Sequence, residues 1–250
     1  MTEENISTKI FSEICHLIAP NGTLRAGLYP GSPNSFIPST PPQPDKGVGY
    51  ELGQALAQRL GVEFKPVFFK SNGEVLAAAK DDQVDFLLAN ATPSRAAYLA
   101  FTQPVLRIEQ GYLVGANSNI EHADSIDQPH LKIGVSAGST SESVLPKLLK
   151  QASVISADNL KDAADKMRTG IIDAFATNKA ILFELCDQLP GSCVLNGAWG
   201  IEKISIGIPI KRRSALPYLQ VFADDMQKKL FIQQAAIRAG LRGLTPDQSS

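Results

Sequence analysis

Two spacings of apolar residues alternate along the chain and predict an α/β fold. Apolar residues three or four positions apart, as at Leu52, Leu56 and Leu60, indicate amphipathic helices. Short, nearly continuous apolar runs such as 84–89 indicate strands buried on both faces. Helices are expected within 1–20, 52–60, 73–80, 160–170 and 214–230, with others beginning near 139 or ending near 186 and 239. Strands are expected near 23–29, 62–69, 84–89, 110–115, 131–135, 173–178 and 202–211. Irregular chain is expected at 30–46, around Pro104 and in a tail at 243–250.

The most informative stretch joins a buried strand to a polar turn. The strand at 84–89 is followed at once by Asn90, Thr92 and Arg95. Ligands of open α/β sheets bind at the carboxyl ends of strands, and the planar fork of an arginine suits a carboxylate. Spacing alone leaves two interpretations open. Arg95 either binds an anion at the end of the strand or is a surface arginine that begins a helix.

A second stretch repeats this pattern. Asp85 precedes Asn90 and Asp173 precedes Asn178 by the same interval, and each pair spans a small apolar strand. Two copies of one α/β unit in one chain favour two similar lobes whose strand ends face each other. A ligand would then lie between Asn90 and Asn178.

The strand at 131–135 leads into a glycine turn and a cluster of hydroxyl groups that includes Ser139 and Thr140. Either residue can cap a helix there, and the free N–H groups of a helix N-terminus attract anions. An ordinary capped helix that binds nothing explains the same residues, so this stretch alone is compatible with both interpretations.

Composition and charge narrow the class of partner. The 250 residues are 44% hydrophobic, enough for one large domain or two small lobes. The net charge is −1 and no block of like charge occurs, which argues against nucleic acid and an anionic membrane surface as partners. No apolar run approaches the roughly 18 residues of a membrane span. The N-terminus lacks signal-peptide features, which fits either a cytosolic protein or one whose signal has been removed.

The cysteines and histidines suggest a disulfide but no metal site. Cys186 and Cys193 flank a turn-rich segment that can bring them within disulfide range, and a bridge there would favour an oxidising compartment. Cys15 would then remain a free thiol in the core. The histidines lie in unrelated segments without the spacing of zinc ligands, so neither a metal nor another cofactor is expected.

Four short blocks occur in a characteristic order. They are Gly49-Tyr50-Glu51-Leu52, then Val84-Asp85 with Thr92-Pro93-Ser94-Arg95, then Ile133-Gly134-Val135 with Gly138-Ser139-Thr140, and finally Ile206-Gly207-Ile208-Pro209-Ile210. In this order they resemble the family 3 solute-binding proteins of bacterial ABC importers, over roughly residues 22–240.

The resemblance implies a two-lobed, periplasmic-binding-protein-like (type II) fold in which two crossover strands form a hinge. Lobe 1 would comprise 1–110 plus 208–250, and lobe 2 would comprise 111–207. The resemblance also implies a periplasmic location, a small-molecule ligand, an ABC transporter permease as partner and a monomeric state.

In that family the arginine of a Thr-x-x-Arg motif holds a carboxylate of the ligand. The resemblance assigns this role to Arg95, with Asn90 and Thr92 beside it. It assigns hydroxyl and backbone donors from the facing lobe to Ser139 and Thr140.

Two positions depart from the pattern of the amino-acid binders. Where those proteins carry acidic residues that hold a ligand ammonium, this sequence has Tyr29 and Asn178. An unpaired ammonium is costly to bury, so the sequence favours a carboxylate ligand without one, unless an acid such as Glu202 reaches the cleft. Tyr29, Phe36 and Phe69 would form apolar walls of the site, although each is equally compatible with a place in the core.

Three functions remain open at this point. The first is a binding protein that delivers a small organic carboxylate, or an amino-acid-like ligand, to a transporter. The second is an enzyme on the same scaffold, similar to cyclohexadienyl dehydratase, which would need a general acid that Asn178 cannot supply. The third is the ligand-sensing module of a receptor. The sequence favours the first, and no catalytic residue is assigned.

Overall fold

The computed structural model describes residues 3–245, with side chains from residue 8 onward. Helices span Glu3–Ile18 (α1), Val48–Leu60 (α2), Asn72–Lys80 (α3), Pro93–Ala96 (α4), Thr140–Leu148 (α5), Leu160–Arg168 (α6), Lys179–Gln188 (α7), Leu216–Lys228 (α8) and Phe231–Arg238 (α9). Strands span Thr23–Leu28 (β1), Glu63–Phe68 (β2), Leu87–Asn90 (β3), Leu99–Val114 (β4), Lys132–Ser136 (β5), Ser153–Ala157 (β6), Ala174–Asn178 (β7), Cys193–Val194 (β8) and Gly200–Pro209 (β9). None of these helices is long and apolar enough to cross a membrane.

Short polar side chains fix where many of the helices begin. In each case the side chain of the residue before the helix accepts a hydrogen bond from a backbone N–H in the first turn, which satisfies a donor that the helix itself leaves free. The capping residues are Ser71, Thr92, Ser139, Asn159 and Asn178. Gly61 ends α2 with a φ of 68°, a left-handed conformation that costs glycine little.

The strands form two similar halves joined by two long strands. In one half β1 pairs in parallel with β2 and bridges to Phe86, directly before β3. In the other half β5 pairs in parallel with both β6 and β7. Strand β9 runs antiparallel to β3 and β4, and β4 continues to pair with β7, so β4 and β9 pass through both halves. The predicted two-lobed α/β fold with two crossover strands is confirmed.

The apolar cores follow the same division. Helices α2 and α8 pack with β1 in a large cluster that also receives Ile204, Ile206 and Ile208 of β9. A separate cluster in the other lobe contains Ile133 and Val135 of β5 together with Ala174 and Ala176 of β7. Strand β9 therefore packs in the first lobe from Ile204 onward. The division into 1–110 plus 208–250 and 111–207 stays a prediction.

Three local expectations need correction. Strand β4 runs through Pro104, where irregular chain was expected, because register shifts on both sides of the proline accommodate its missing N–H. Strand β6 was not predicted. The supposed tail begins by pairing with β4, since Leu244 bridges to Ile108 and Thr245 donates to the carbonyl of Arg107. Residues 246–250 lie outside the described part of the chain.

The predicted disulfide is also absent, and all three cysteines are free. Cys186 lies in the last turn of α7, where its thiol donates to the carbonyl of Ser192 at 3.2 Å. Cys193 is exposed on β8, with its thiol directed to the carbonyl of Val194. The turn brings the two residues into one region, but each thiol takes a backbone partner instead of the other.

Candidate ligand-binding cleft

The same backbone device places the strand ends of both lobes. Asp85 accepts a hydrogen bond from the backbone N–H of Arg25 at 2.9 Å and donates its own N–H to the Arg25 carbonyl. Asp173 does the same with Lys132, accepting at 2.8 Å. Each aspartate thus ties the start of a short strand to its parallel neighbour. The sequence repeat is therefore a structural repeat, and it brings the polar ends of β3 and β7 to the space between the lobes.

Arg95 lies in α4, just beyond the end of β3, and it is buried, with 5% of its surface exposed. Its Nη1 donates to the carbonyl of Asn90 at 3.0 Å, and its Nη2 donates across the cleft to the carbonyl of Gly138 at 3.2 Å. Within residues 8–245 no carboxylate lies within ion-pair distance of it, and its other N–H groups have no hydrogen-bond acceptor there. Burial lowers the pKa of Arg95, partly against the effect of the nearby Glu202 charge.

The helix start at Ser139 and Thr140 faces this arginine from the second lobe. The Nδ2 of Asn90 donates to the Thr140 hydroxyl at 3.3 Å, a second hydrogen bond across the cleft. Ser139 caps α5 by accepting from the N–H of Glu142, whose carboxylate in turn accepts from the N–H of Gly138. The Ser139 hydroxyl is therefore engaged in capping α5, and the Thr140 hydroxyl meets Asn90 across the cleft.

Thr92 acts on the helix that carries Arg95. Its hydroxyl accepts from the N–H of Arg95 at 3.4 Å and lies 3.0 Å from the hydroxyl of Ser94. It thus caps α4 and positions Arg95. The structure gives it no place in the lining of the cleft cavity described next.

A cavity of about 40 Å³ remains between the lobes. Of the residues expected from the sequence it is lined by Tyr29, Ser139, Thr140 and Asn178, whereas Arg95 and Asn90 lie outside its lining and contact the second lobe at Gly138 and Thr140. Its lining consists of Tyr29, Ser71, Asn72, Ser136, Ser139, Thr140, Asn159, Leu160, Thr177, Asn178, Ile181 and Glu202.

Glu202 brings a negative charge into this cavity. It lies on β9 and accepts a hydrogen bond from the Nδ2 of Asn178 at 2.8 Å, while the Oδ1 of Asn178 caps α7. Burial raises the pKa of Glu202, and the Asn178 hydrogen bond and the positive charge of Arg95 oppose that effect. The cleft therefore contains an acid beside Asn178, supplied by the second crossover strand.

Tyr29 lies at the end of β1 and forms one wall. Its hydroxyl donates to the hydroxyl of Ser32 at 3.3 Å, and Ser32 in turn donates to the Asn34 side chain. The backbone N–H of Tyr29 donates to the Ser35 hydroxyl at 3.0 Å. Burial raises the pKa of Tyr29 to about 12, so the ring stays neutral. The loop at 30–46, in which Ser32, Asn34 and Ser35 are buried, thus fixes this wall.

The other two aromatic residues lie elsewhere. Phe36 is buried in the core of the first lobe, where its ring packs on Tyr50 and Phe68 at centroid distances of 5.5 and 4.6 Å. Phe69 packs against the apolar cluster of α3 that contains Val75. Neither ring lines the cavity, because both pack in apolar clusters of the protein core.

A larger groove of about 840 Å³ lies on the second lobe, at the ends of β5 and β7 away from the cleft. Its charged and titratable side chains, His130, Arg168 and Asp173, are exposed. Arg168 pairs with Asp165, and Asp173 accepts from the backbone of Lys132. The groove therefore lacks the buried, unpaired charge that distinguishes the cleft.

The cleft combines a buried guanidinium, a partly buried acid and neutral hydrogen-bonding groups contributed by two lobes. This arrangement is typical of two-lobed proteins that bind a small solute between their lobes. The sequence profile of the bacterial extracellular solute-binding proteins, family 3, matches residues 25–239, and the chain belongs to that family.

Solved structures of amino-acid-binding proteins share its fold. A mutant of ArgBP from T. maritima has 19% identity and a TM-score of 0.78, covering 91% of this chain and 99% of that one. An amino acid ABC transporter substrate-binding protein from Streptococcus pneumoniae, bound to L-arginine, has 18% identity and a TM-score of 0.78, covering 93% and 98%. The ancestral amino-acid-binding protein AncCDT-1, a precursor of cyclohexadienyl dehydratase, has 21% identity and a TM-score of 0.76, covering 90% and 98%. A sequence comparison with curated proteins found no match.

Proposed function

We propose that this protein binds an α-amino acid between its lobes outside the cytoplasm and delivers it to the permease of an ABC transporter. Membership of an extracellular solute-binding family supports the location and the transporter partner. The amino-acid ligands named for the similar structures support the ligand class.

The observation that carries the proposal is the unpaired guanidinium of Arg95. A buried charge normally has an ionic partner, because desolvation of an unpaired charge is costly. Arg95 has only backbone carbonyls as partners within the described residues, so a carboxylate ligand would supply the missing charge. Its free N–H groups suit a bidentate contact.

Glu202 changes the expected ligand. The sequence favoured a carboxylate without an ammonium because Tyr29 and Asn178 stand where acids were expected. With Glu202 hydrogen-bonded to Asn178 in the cavity, an ammonium has a charged acceptor available. The carboxylate of the ligand would meet Arg95, and its ammonium would meet Glu202 and Asn178.

Closure of the two lobes on the ligand is part of the proposal. The hydrogen bonds from Arg95 to Gly138 and from Asn90 to Thr140 both join residues of opposite lobes. Opening of the cleft would break both, and a ligand bound between the same groups would favour the closed form.

Calorimetry with matched pairs, an amino acid against its deaminated analogue, tests the ligand class. We expect the amino acid to bind more tightly, because a charge-assisted hydrogen bond to Glu202 is stronger than a neutral one. Tighter binding of the deaminated analogue would indicate that the ligand is a simple organic acid.

One observation also supports an enzyme on this scaffold. Glu202 is a cleft carboxyl with a raised pKa, the kind of group that can serve as a general acid. The cavity of about 40 Å³ argues against a bulky substrate such as prephenate. Incubation of the protein with prephenate, followed by product detection, separates the two functions, and turnover would favour the enzyme.

A further inference from the structure

Besides the wall formed by Tyr29, three sides of the cavity would face a ligand. Thr140 lies at one side, two residues after the Gly138 carbonyl that Arg95 contacts from outside the lining, and Glu202 and Asn178 lie at another. The remaining wall consists of Ser71 and Asn72 from the first lobe together with Asn159 and Leu160 from the second. If the first two walls hold the carboxylate and the ammonium of an amino acid, the third faces its side chain.

That third wall carries no charge. Ser71 and Asn159 use their side-chain oxygens to cap α3 and α6. The side-chain amide of Asn72 has no hydrogen-bond partner among the residues described, and Leu160 is apolar. A cationic or anionic side chain placed here would have no ionic partner, and burying it would be costly.

The lobes also approach closely around this wall. A Cβ atom added at Gly138, whose φ is +71°, would lie 3.3 Å from the Cα of Gly73, and one added at Gly73 would lie 3.1 Å from the Ala137 carbonyl oxygen. A Cβ added at Gly31 would lie 3.2 Å from the Cδ1 of Leu160. These contacts leave the cavity at about 40 Å³, room for roughly three water molecules. A long side chain would hold the lobes apart.

We propose that the ligand is a small, uncharged amino acid of the size of alanine or serine, whose side chain lies against Ser71, Asn72, Asn159 and Leu160. This inference rests on the proposed function, and it excludes long and basic amino acids such as arginine. The neutral hydrogen-bonding groups of the wall suit a hydrogen atom, a methyl group or a hydroxyl.

Calorimetry with two ligand series separates size from charge. In the size series L-alanine should bind at least about 100-fold more tightly than L-norleucine or L-arginine, since a long side chain prevents closure. In the charge series L-homoserine should bind at least about 100-fold more tightly than L-diaminobutyrate, which has an ammonium in place of the hydroxyl.

The variant Asn159→Asp tests the place of the side chain. Aspartate preserves the helix cap and adds a carboxylate to the wall, so it should raise affinity for diaminobutyrate relative to homoserine by about tenfold or more. Asn117→Asp adds the same charge on an exposed loop far from the cleft and should change neither affinity.

Each part can fail separately. Equal binding of alanine and norleucine overturns the size limit, and equal binding of homoserine and diaminobutyrate overturns the neutral wall. An unchanged ligand preference in the Asn159→Asp protein overturns the placement. If organic acids bind and no amino acid does, the proposed function itself is wrong.

Discussion

Glu202 offers a test in which ligand affinity and protein stability move in opposite directions. Glutamine has the shape of glutamate, and its side-chain oxygen can still accept the hydrogen bond that Asn178 donates at 2.8 Å. Glu202→Gln therefore removes the negative charge while preserving the packing of β9. The ammonium of a ligand would lose a charged acceptor and keep a neutral one.

The expected loss follows from the two kinds of hydrogen bond. A bond to a charged group contributes about 1.5–3 kcal/mol and a neutral one about 0.5–1.5 kcal/mol, so the variant should lose about 1–2 kcal/mol of binding free energy. That corresponds to a dissociation constant about 5–30 times larger, measured by calorimetry with the tightest amino acid. Without ligand, the melting temperature should rise, because burial disfavours the ionised carboxyl that the variant removes.

Glu109→Gln is the matched control. Glu109 is a neighbouring carboxylate of β4 that pairs with Lys179 at 2.6 Å and does not line the cavity. Its replacement should leave affinity unchanged and should not raise the melting temperature. If Glu202→Gln binds the amino acid as tightly as the natural protein, Glu202 does not hold an ammonium. The same conclusion follows if its affinity and its melting temperature both fall.

Four further outcomes are expected. Amino-acid affinity should rise with pH through the raised pKa of Glu202, because the ligand ammonium favours the ionised form, and the Glu202→Gln protein should lack this dependence in a calorimetric pH series. Arg95→Ala should cost about 2–5 kcal/mol of binding free energy, with Arg95→Lys recovering only part, and near-natural affinity in the alanine protein would refute the carboxylate contact. Asp85→Ala should cost about 3–5 kcal/mol in urea unfolding, because it leaves Arg25 and Arg212 without their shared buried carboxylate, and a loss below 1 kcal/mol would contradict this. Thiol titration of denatured, unreduced protein should find every cysteine reactive, and a single reactive thiol would restore the predicted disulfide.

The fold was accessible from the sequence because its repeat has a local cause. Asp85 and Asp173 stand at the same place in two copies of one unit, and each clasps the backbone of the parallel strand beside it. The spacing of a few neighbouring residues in each copy therefore predicted how strands distant in sequence are arranged. Pro104 shows the limit of such reasoning, because a proline predicts irregular chain and only the register of the neighbouring strand shows that it occupies a bulge.

The site was only partly accessible, for a different reason. Arg95, Asn90 and Thr140 follow strand ends, and strand ends can be found from apolar runs. Glu202 lies inside the alternating pattern of β9, where a charged residue ordinarily marks the solvent face. Its place in the cavity depends on the register in which Glu202 of β9 pairs with Ile108 of β4. A local sequence pattern does not reveal that register. Ser71 and Asn159 likewise read as ordinary helix caps.

Two buried arginines of the chain differ in a way that supports Arg95 as the proposed contact for an anion. Arg212, with 6% of its side chain exposed, donates to Asp82 and Asp85, so its charge is neutralised within the protein. Arg95 is buried to the same degree, but its described partners are two carbonyl groups, and burial lowers its pKa. Folding has already removed water from this guanidinium without supplying an ionic partner. In the proposed function, a carboxylate that enters the cleft would meet a donor that folding has already largely desolvated, so the attraction between them would contribute to affinity instead of to folding.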